Sequence, residues 1–272
     1  MIAPGRLTRT FDEARVADLR QSFAAAEPFP YLMIDDLLSD HGRCVLREGF
    51  PRPEWAHWNR FHDEYQKEKR VCADITVLPG SFAALIDECS RPSFLRFLED
   101  VTGLEKLLID PYLDGGGLHC SGGGGVLAPH TDFHHYGRLE LYRVLNLLIY
   151  FNDTWEEADG GYLELYRKGE SVPAVSIAPG FGRAVLFRTD DRSVHGFARP
   201  VAAGKWRKSV AIYYYVSRES DAFSGDTSTH WQTHGPRMRG SRLATFKGLM
   251  LASRGCSKLA HLINPNRRSS DL

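Results

Sequence analysis

The chain has 272 residues, in which 34 lysines and arginines balance 34 aspartates and glutamates. Hydrophobic residues make up 43% and charged residues 25%, which is ordinary for a globular protein of one large domain or two small ones. The formal net charge of zero argues against electrostatic binding of nucleic acid, because such binding requires a basic surface. No apolar run reaches the roughly 18–20 residues of a transmembrane helix, so we expect no membrane span.

The cysteines and the first residues bear on the cellular compartment. The five cysteines are scattered, and none forms a CxxC pair: Cys44, Cys72, Cys89, Cys120 and Cys256. A disulfide framework or a zinc site is therefore not expected. Residues 1–10 lack the charged-then-apolar pattern of a secretory signal. We expect a reducing, cytoplasmic location.

The first hundred residues predict mainly helices. Apolar residues at helical spacing indicate a helix over residues 11–26, followed by a short buried strand at 31–34 and a second helix at 36–48. Two further amphipathic helices are predicted at 81–89 and 93–102. Residues 55–70 are aromatic and charged, which predicts a surface segment that could serve as a flap.

The pattern changes at residue 107. Short β-type runs separated by glycine and proline follow at 118–121, 141–151, 162–166, 184–187 and 209–216. Several short strands with turn signals between them indicate a sandwich or a barrel. We therefore predict an α+β chain with helices over residues 1–106 and a β core over residues 107–218.

The last segment, residues 219–272, predicts a flap and a helix. Trp231 lies in the predicted flap, residues 220–236. From residue 227 to residue 270 the chain has eight basic residues and no acidic one. Apolar residues between 241 and 263 predict a helix that packs on the domain with its basic residues in water. The alternative is that this basic amphipathic helix contacts an anionic substrate or a membrane surface.

Two histidines and one aspartate predict a metal site. His130 and Asp132 are two residues apart, so on a strand they point to the same face. His195 follows the predicted strand at 184–187 and precedes the last strand. Two histidines and one carboxylate on one face of a metal, with three positions left open, are typical of non-haem Fe(II) oxygenases. His134 and His135 lie close by and are alternative ligands, although their spacing suits the motif less well.

A basic residue at the start of the last predicted strand suggests an anion site. Arg207 and Ser209 share a strand face, and Lys208 points to the opposite one. A guanidinium with a neighbouring hydroxyl suits a carboxylate, because its fork donates two charge-assisted hydrogen bonds. The pattern predicts a metal beside an anchored dicarboxylate.

In combination these motifs resemble the double-stranded β-helix of the 2-oxoglutarate/Fe(II)-dependent dioxygenases, in the prolyl 4-hydroxylase-like branch. The matching segments are Gly117-Leu118-His119, His130-Thr131-Asp132-Phe133, residues 143–152, Trp155, residues 160–165, His195-Gly196 and Arg207-Lys208-Ser209. Residues 28–36 also resemble the first strand of bacterial members. The resemblance covers residues 28–216, most of the chain.

The resemblance implies a jelly-roll, cupin-like core flanked by N-terminal and C-terminal helices, in a single domain over residues 1–272. It implies that His130, Asp132 and His195 bind Fe(II), and that Arg207, with Ser209, binds the carboxylate of 2-oxoglutarate. O2 is the implied oxidant, with ascorbate as a candidate reductant.

One departure from the family concerns a tyrosine. Many relatives have a tyrosine on the strand before the HxD motif, where it contacts the cosubstrate. Here that stretch reads Leu118-His119-Cys120, and the nearest tyrosine is Tyr112. Tyr150 or the tyrosines at 213–215 are the candidates to replace it.

The implied reaction is hydroxylation of an unactivated C–H bond with release of succinate and CO2. Halogenating relatives lack the carboxylate ligand, whereas Asp132 is present. The implied partner is a small molecule or a peptide: an amino acid, a peptide, a sugar or a natural-product intermediate. Two alternatives are a cupin-like metalloprotein that uses another divalent metal for hydrolysis or isomerisation, and a non-catalytic binding module.

Overall fold

The computed structural model describes residues 6–218 and the backbone of residues 230–231. The chain divides into two compact units, Met1–Gln232 and Thr233–Leu272, and every described residue lies in the first. The predicted C-terminal helix and most of the predicted flap at 220–236 lie outside the described residues.

The described part of the chain begins with helices and continues with strands. The helices are α1 (Glu13–Ala25), α2 (Asp40–Gly49), α3 (Gly80–Ser90) and α4 (Pro92–Thr102). The strands are β1 (Tyr31–Ile34), β2 (Asn59–Phe61), β3 (Gln66–Cys72), β4 (Leu108–Ile109), β5 (Gly117–Thr131), β6 (His135–Tyr136), β7 (Leu141–Tyr150), β8 (Leu163–Tyr166), β9 (Val175–Ile177), β10 (Ala184–Arg188), β11 (Val194–Phe197), β12 (Arg207–Val216) and β13 (His230–Trp231).

The strands form one curled antiparallel sheet whose main path runs β1-β10-β7-β12-β5-β11-β8-β9. The long strand β5 joins the two halves of this sheet. Its first residues pair with β12 and β3, and its last residues pair with β11. This arrangement is the double-stranded β-helix, so the predicted α+β fold class is confirmed.

The N-terminal helices cover the outer face of the larger half-sheet. Leu19 of α1, Phe82 of α3 and Leu98 of α4 are buried in the same core cluster as Leu147 of β7 and Ile212 of β12. The four predicted helices are present. No helix of the described chain is long and apolar enough to cross a membrane.

The second helix begins four residues later than predicted. Ser39 caps it, because its side chain accepts a hydrogen bond from the backbone N–H of Gly42. Asp35, which the prediction placed just before the helix, instead pairs its carboxylate with Arg183 at 2.7 and 2.9 Å.

The prediction of a surface segment at 55–70 was incomplete. The last residues of this segment, from Gln66 onward, are part of β3, which pairs with β2 on one side and with β5 on the other. The N-terminal flank is therefore not purely helical. Strand β3 reads QKEKRVC and has no alternation of apolar and polar residues, so periodicity did not indicate it.

Strand β5 is also longer than predicted, because the prediction ended it before the four glycines at 122–125. The glycines allow a close approach of the chain at 200–206. A Cβ added at Gly122 would lie 2.7 Å from the indole ring of Trp206. Glycine serves here to admit a neighbouring ring, and it does not end the strand.

A buried carboxylate attaches the first described residues to α3. Glu88 accepts hydrogen bonds at 2.9 Å from the backbone N–H groups of Leu7 and Thr8, and the Thr8 hydroxyl also donates to it. Burial alone would raise the pKa of Glu88, but the hydrogen bonds from Thr8 and Leu7 outweigh it, so the pKa lies below its usual value. This carboxylate therefore stabilises the fold above about pH 4.5, and its contribution is lost as the pH falls through the lowered pKa.

We predict that Glu88→Ala lowers the free energy of unfolding by about 2 kcal/mol, because it leaves buried N–H groups without an acceptor. Urea denaturation at neutral pH measures the change. Asp87→Ala is the matched control, since Asp87 is exposed on the same helix and, within the described chain, pairs only with Arg91 four residues away. Equal effects of the two substitutions would contradict the prediction.

Candidate metal centre and cosubstrate pocket

Two antiparallel strands bring the histidines together. His130 of β5 and His195 of β11 are direct partners in the register, and their ring centroids are 4.5 Å apart. His195 lies within a strand of its own, which the sequence did not indicate. Both side chains are 8% exposed.

Asp132 completes the group one residue beyond the end of β5. Its Oδ1 lies 3.5 Å from Nε2 of His130, and its Oδ2 lies 3.6 Å from Nε2 of His195. These three residues are the one group of metal-ligating side chains found in the described chain, with donor atoms all within 4.8 Å of one another. The structure therefore brings together the three residues that the sequence predicted. His134 and His135, the predicted alternatives, are not part of the group.

Hydrogen bonds orient both imidazoles for metal binding. Nδ1 of His130 lies 2.9 Å from the carbonyl oxygen of Ala128, and Nδ1 of His195 lies 3.0 Å from that of Ser193. A hydrogen on each Nδ1 satisfies these carbonyls and leaves Nε2 with its lone pair facing the site, as metal-bound histidines require. Burial lowers the pKa of His195 to about 4, although the charge of Asp132 opposes the shift, so this imidazole is neutral at pH 7.

The carboxylate of Asp132 is held by two residues of β7. Arg143 contacts its Oδ2 at 2.9 Å, and the side-chain amide of Asn146 donates to the same oxygen at 2.7 Å. Nε of Arg143 also donates to the side-chain oxygen Oδ1 of Asn146 at 2.8 Å. Burial alone would raise the pKa of Asp132, but Arg143 and the two imidazoles hold it well below its usual value. The carboxylate is thus ionised and fixed in orientation.

A bulge in β7 makes this arrangement possible. Tyr214 pairs with Leu145 and Tyr215 pairs with Arg143, so Val144 is an extra residue in the strand. Without it, Arg143 and Asn146, three positions apart, would point to opposite faces. No role was predicted for these two residues from the sequence, because the bulge interrupts the regular alternation of strand faces.

A cavity of about 180 Å³ lies beside the triad, which is more space than a metal ion needs. Its lining includes the triad residues, Arg143, Asn146, Arg207 and Ser209, together with Lys69, His119 and Ser121. Lys69 and Ser121 were not predicted from the sequence as site residues. A lysine in a charged stretch carries no distinguishing signal until the strand pairing is known.

Arg207 is buried in this cavity. Its Nε donates to the carbonyl oxygen of Gly161 at 2.7 Å, and one terminal nitrogen donates to the hydroxyl of Tyr150 at 3.1 Å. Among the described residues, no carboxylate lies within 4.0 Å of it. Burial raises the pKa of Tyr150, although Arg207 opposes the shift, so the phenol keeps its hydrogen and can donate it. Of the candidate tyrosines, Tyr150 lies beside Arg207, and Tyr213 lines the cavity.

The donor set fits a divalent iron ion. Two imidazoles and one fixed carboxylate converge from one side, and the cavity lies on the other. A double-stranded β-helix that carries this triad defines a class of non-haem metalloprotein.

The comparisons with known proteins identify the family. Residues 116–216 match the family described as the 2OG-Fe(II) oxygenase superfamily, and this segment of the chain belongs to it. The match spans the triad, Tyr150 and the Arg207–Ser209 pair. The resemblance predicted from the motifs is thus confirmed over residues 116–216, which form a 2-oxoglutarate/Fe(II) oxygenase domain with Fe(II) and 2-oxoglutarate as its cofactors.

Solved structures share the fold. A prolyl hydroxylase from Trichoplax adhaerens, in complex with a peptide fragment of the hypoxia inducible factor oxygen degradation domain, is 19% identical with a TM-score of 0.54, over 76% of this chain and 94% of that chain. HygX from Streptomyces hygroscopicus, with nickel and 2-oxoglutarate bound, is 15% identical with a TM-score of 0.50, over 78% of this chain and 96% of that chain. No curated protein sequence matches the chain.

We predict that His130→Ala, Asp132→Ala and His195→Ala each weaken Fe(II) binding by more than about 100-fold. Loss of a residue that only hydrogen-bonds to a metal ligand weakens metal binding by roughly 10–100-fold, and loss of the ligand itself should cost more. An anaerobic metal titration measures the affinity. His135→Ala is the control, because His135 pairs with Glu140 at 3.3 Å and lies outside the triad. Unchanged affinity in all three ligand variants would refute the assignment.

Proposed function

We propose that the protein hydroxylates an unactivated C–H bond of a small molecule or a peptide, with conversion of 2-oxoglutarate and O2 to succinate and CO2. His130, Asp132 and His195 would hold the iron, and Arg207 would hold the far carboxylate of 2-oxoglutarate. When bound, the iron and the cosubstrate supply the oxidising chemistry. The residues of the chain bind and orient the reactants.

The buried guanidinium of Arg207 carries this proposal. A cation removed from water is costly unless an anion pairs with it, and no carboxylate of the described chain does so. Arg207 lines the same cavity as the metal triad. A dicarboxylate that chelates the metal with one end and reaches Arg207 with the other would satisfy both groups.

Tyr150 supports the same function. Its hydroxyl accepts a hydrogen bond from Arg207 and still has its own hydrogen to donate. A carboxylate at Arg207 would thus meet a guanidinium and a phenol together. Ser209 lies opposite Tyr150 in the register of β12 and β7 and offers a third donor at the cavity wall.

Arg207 also separates this proposal from the alternatives. A cupin-like hydrolase or isomerase has no need for a buried dicarboxylate anchor beside its metal. A non-catalytic module has no need for an intact triad. Asp132 occupies the ligand position that halogenating relatives leave to a halide, which favours hydroxylation.

A reducing, cytoplasmic location is part of the proposal. The four described cysteines, Cys44, Cys72, Cys89 and Cys120, are free thiols. Such thiols persist in reducing compartments.

We predict that the iron-loaded protein releases succinate from 2-oxoglutarate when it is given a panel of amino acids, peptides, sugars and natural-product intermediates. A true substrate should raise succinate release and gain one oxygen atom by mass spectrometry. His195→Ala is the control and should abolish both signals. If a product forms without 2-oxoglutarate, or if a compound of the panel is hydrolysed, the cupin-like alternative is favoured.

We further predict that Arg207→Ala weakens 2-oxoglutarate binding by about 2–5 kcal/mol, the scale for loss of one partner of a buried charge pair. Calorimetric titration of the Co(II)-loaded protein measures it. Lys208→Ala is the matched control: Lys208 is the next residue on β12, and its side chain lies over the ring of Phe50 at 5.8 Å. A loss in the lysine variant alone would show that the other strand face holds the cosubstrate.

A further inference from the structure

A second cation faces the cavity from β3. Lys69 and Gln66 both line it, although they are three positions apart on a strand and would ordinarily point to opposite faces. The alternation breaks between them at Glu68, whose φ is +48°, in the left-handed region that non-glycine residues rarely adopt. The pairing of β3 with β5 is irregular here: Lys67 pairs with Val126 and Lys69 pairs with Ser121, so the glycines at 122–125 lie opposite Glu68 alone. This irregularity directs Lys69 into the cavity.

Lys69, Ser121 and Arg207 form a row across three neighbouring strands. Lys69 pairs with Ser121 across β3 and β5, and Arg207 pairs with Ser121 across β12 and β5. Register partners on adjacent strands point to the same face, and all three residues line the cavity. The backbones of Lys69 and Arg207 are therefore two strand spacings apart, about 10 Å. The short side chain of Ser121 leaves the space between the two cations open.

The cavity has an excess of positive charge. Asp132 is the one carboxylate among the described residues that line it, and Arg143 already pairs with Asp132. Nζ of Lys69 donates to the side-chain oxygen of Gln66 at 2.8 Å, and no carboxylate of the described chain lies within 4.0 Å of it. Burial lowers the pKa of Lys69 to about 8, and the positive charge of Arg207 adds to the shift while Asp132 opposes it. Lys69 and Arg207 thus both lack an anion among the residues that the structure describes.

We propose that Lys69 and Ser121 extend the site of Arg207, Tyr150 and Ser209 into a cradle for the far carboxylate of 2-oxoglutarate. The inference rests on the proposed role of Arg207 as the anchor. A carboxylate above Ser121 has the guanidinium on one side and the ammonium on the other. The hydroxyl of Ser121, which makes no side-chain hydrogen bond to another described residue, can donate to it from below.

The test is calorimetric titration of the Co(II)-loaded protein with 2-oxoglutarate. Lys69→Met should weaken binding by about 10–100-fold, because hydrogen bonds to a buried charge are among the stronger ones. Lys69→Arg, which keeps the charge, should retain most of the affinity. Lys67→Met is the matched control: Lys67 is exposed on the same strand, and its loss should leave binding unchanged.

A ligand without the far carboxylate separates a direct contact from a structural effect. 2-Oxopentanoate has the same five-carbon chain and the same metal-binding end, so it should bind the wild-type protein and Lys69→Met with similar affinity. Equal weakening of both ligands by Lys69→Met would overturn the inference and assign the lysine a structural role.

Unchanged 2-oxoglutarate affinity in Lys69→Met would also overturn the inference. If Arg207→Ala still abolishes binding in that case, the anchor stands and only the cradle fails. If neither substitution matters, the proposed cosubstrate site itself is wrong.

Discussion

The ion pair between Asp132 and Arg143 is the interaction on which the metal centre depends. A carboxylate buried between two imidazoles would take up a proton unless a cation stabilised its charge. Arg143 supplies that cation from β7, at 2.9 Å, and its guanidinium lies 3.3 Å from the ring centroid of Tyr213 on β12. Asp132, at the end of β5, is thereby linked through Arg143 to β7 and β12. The ligand geometry is a property of the whole curled sheet and not of the HxD motif alone.

Charge is distributed unevenly in this protein. The formal net charge of the whole chain is zero. Around the cavity, however, Arg143, Arg207 and Lys69 outnumber Asp132. A bound ferrous ion would add to that excess. A dianionic cosubstrate is the kind of ligand that offsets it, and the low-dielectric surroundings strengthen the attraction at short range.

Residues that obey simple periodicity were the ones that the sequence predicted. The two-residue spacing placed His130 with Asp132 and Arg207 with Ser209, and apolar spacing indicated the N-terminal helices. Arg143 and Lys69 were missed because each lies beside a register shift, at Val144 in β7 and at Glu68 opposite the glycines of β5. A register shift depends on which strand lies alongside, and this pairing joins residues far apart in the sequence. No local pattern contains that information.

The glycines at 122–125 have a consequence for anyone who wishes to redesign the pocket. A Cβ at Gly122 would meet Trp206 at 2.7 Å, and one at Gly125 would meet the carbonyl oxygen of Gly122 at the same distance. Gly124 has open space around it, but its φ of +81° disfavours any other residue. Randomising this run would yield mostly misfolded clones. Substitutions are better made at cavity positions that already carry side chains, such as Gln66 and Leu127. Variants at these positions can change which ligand binds and keep the fold.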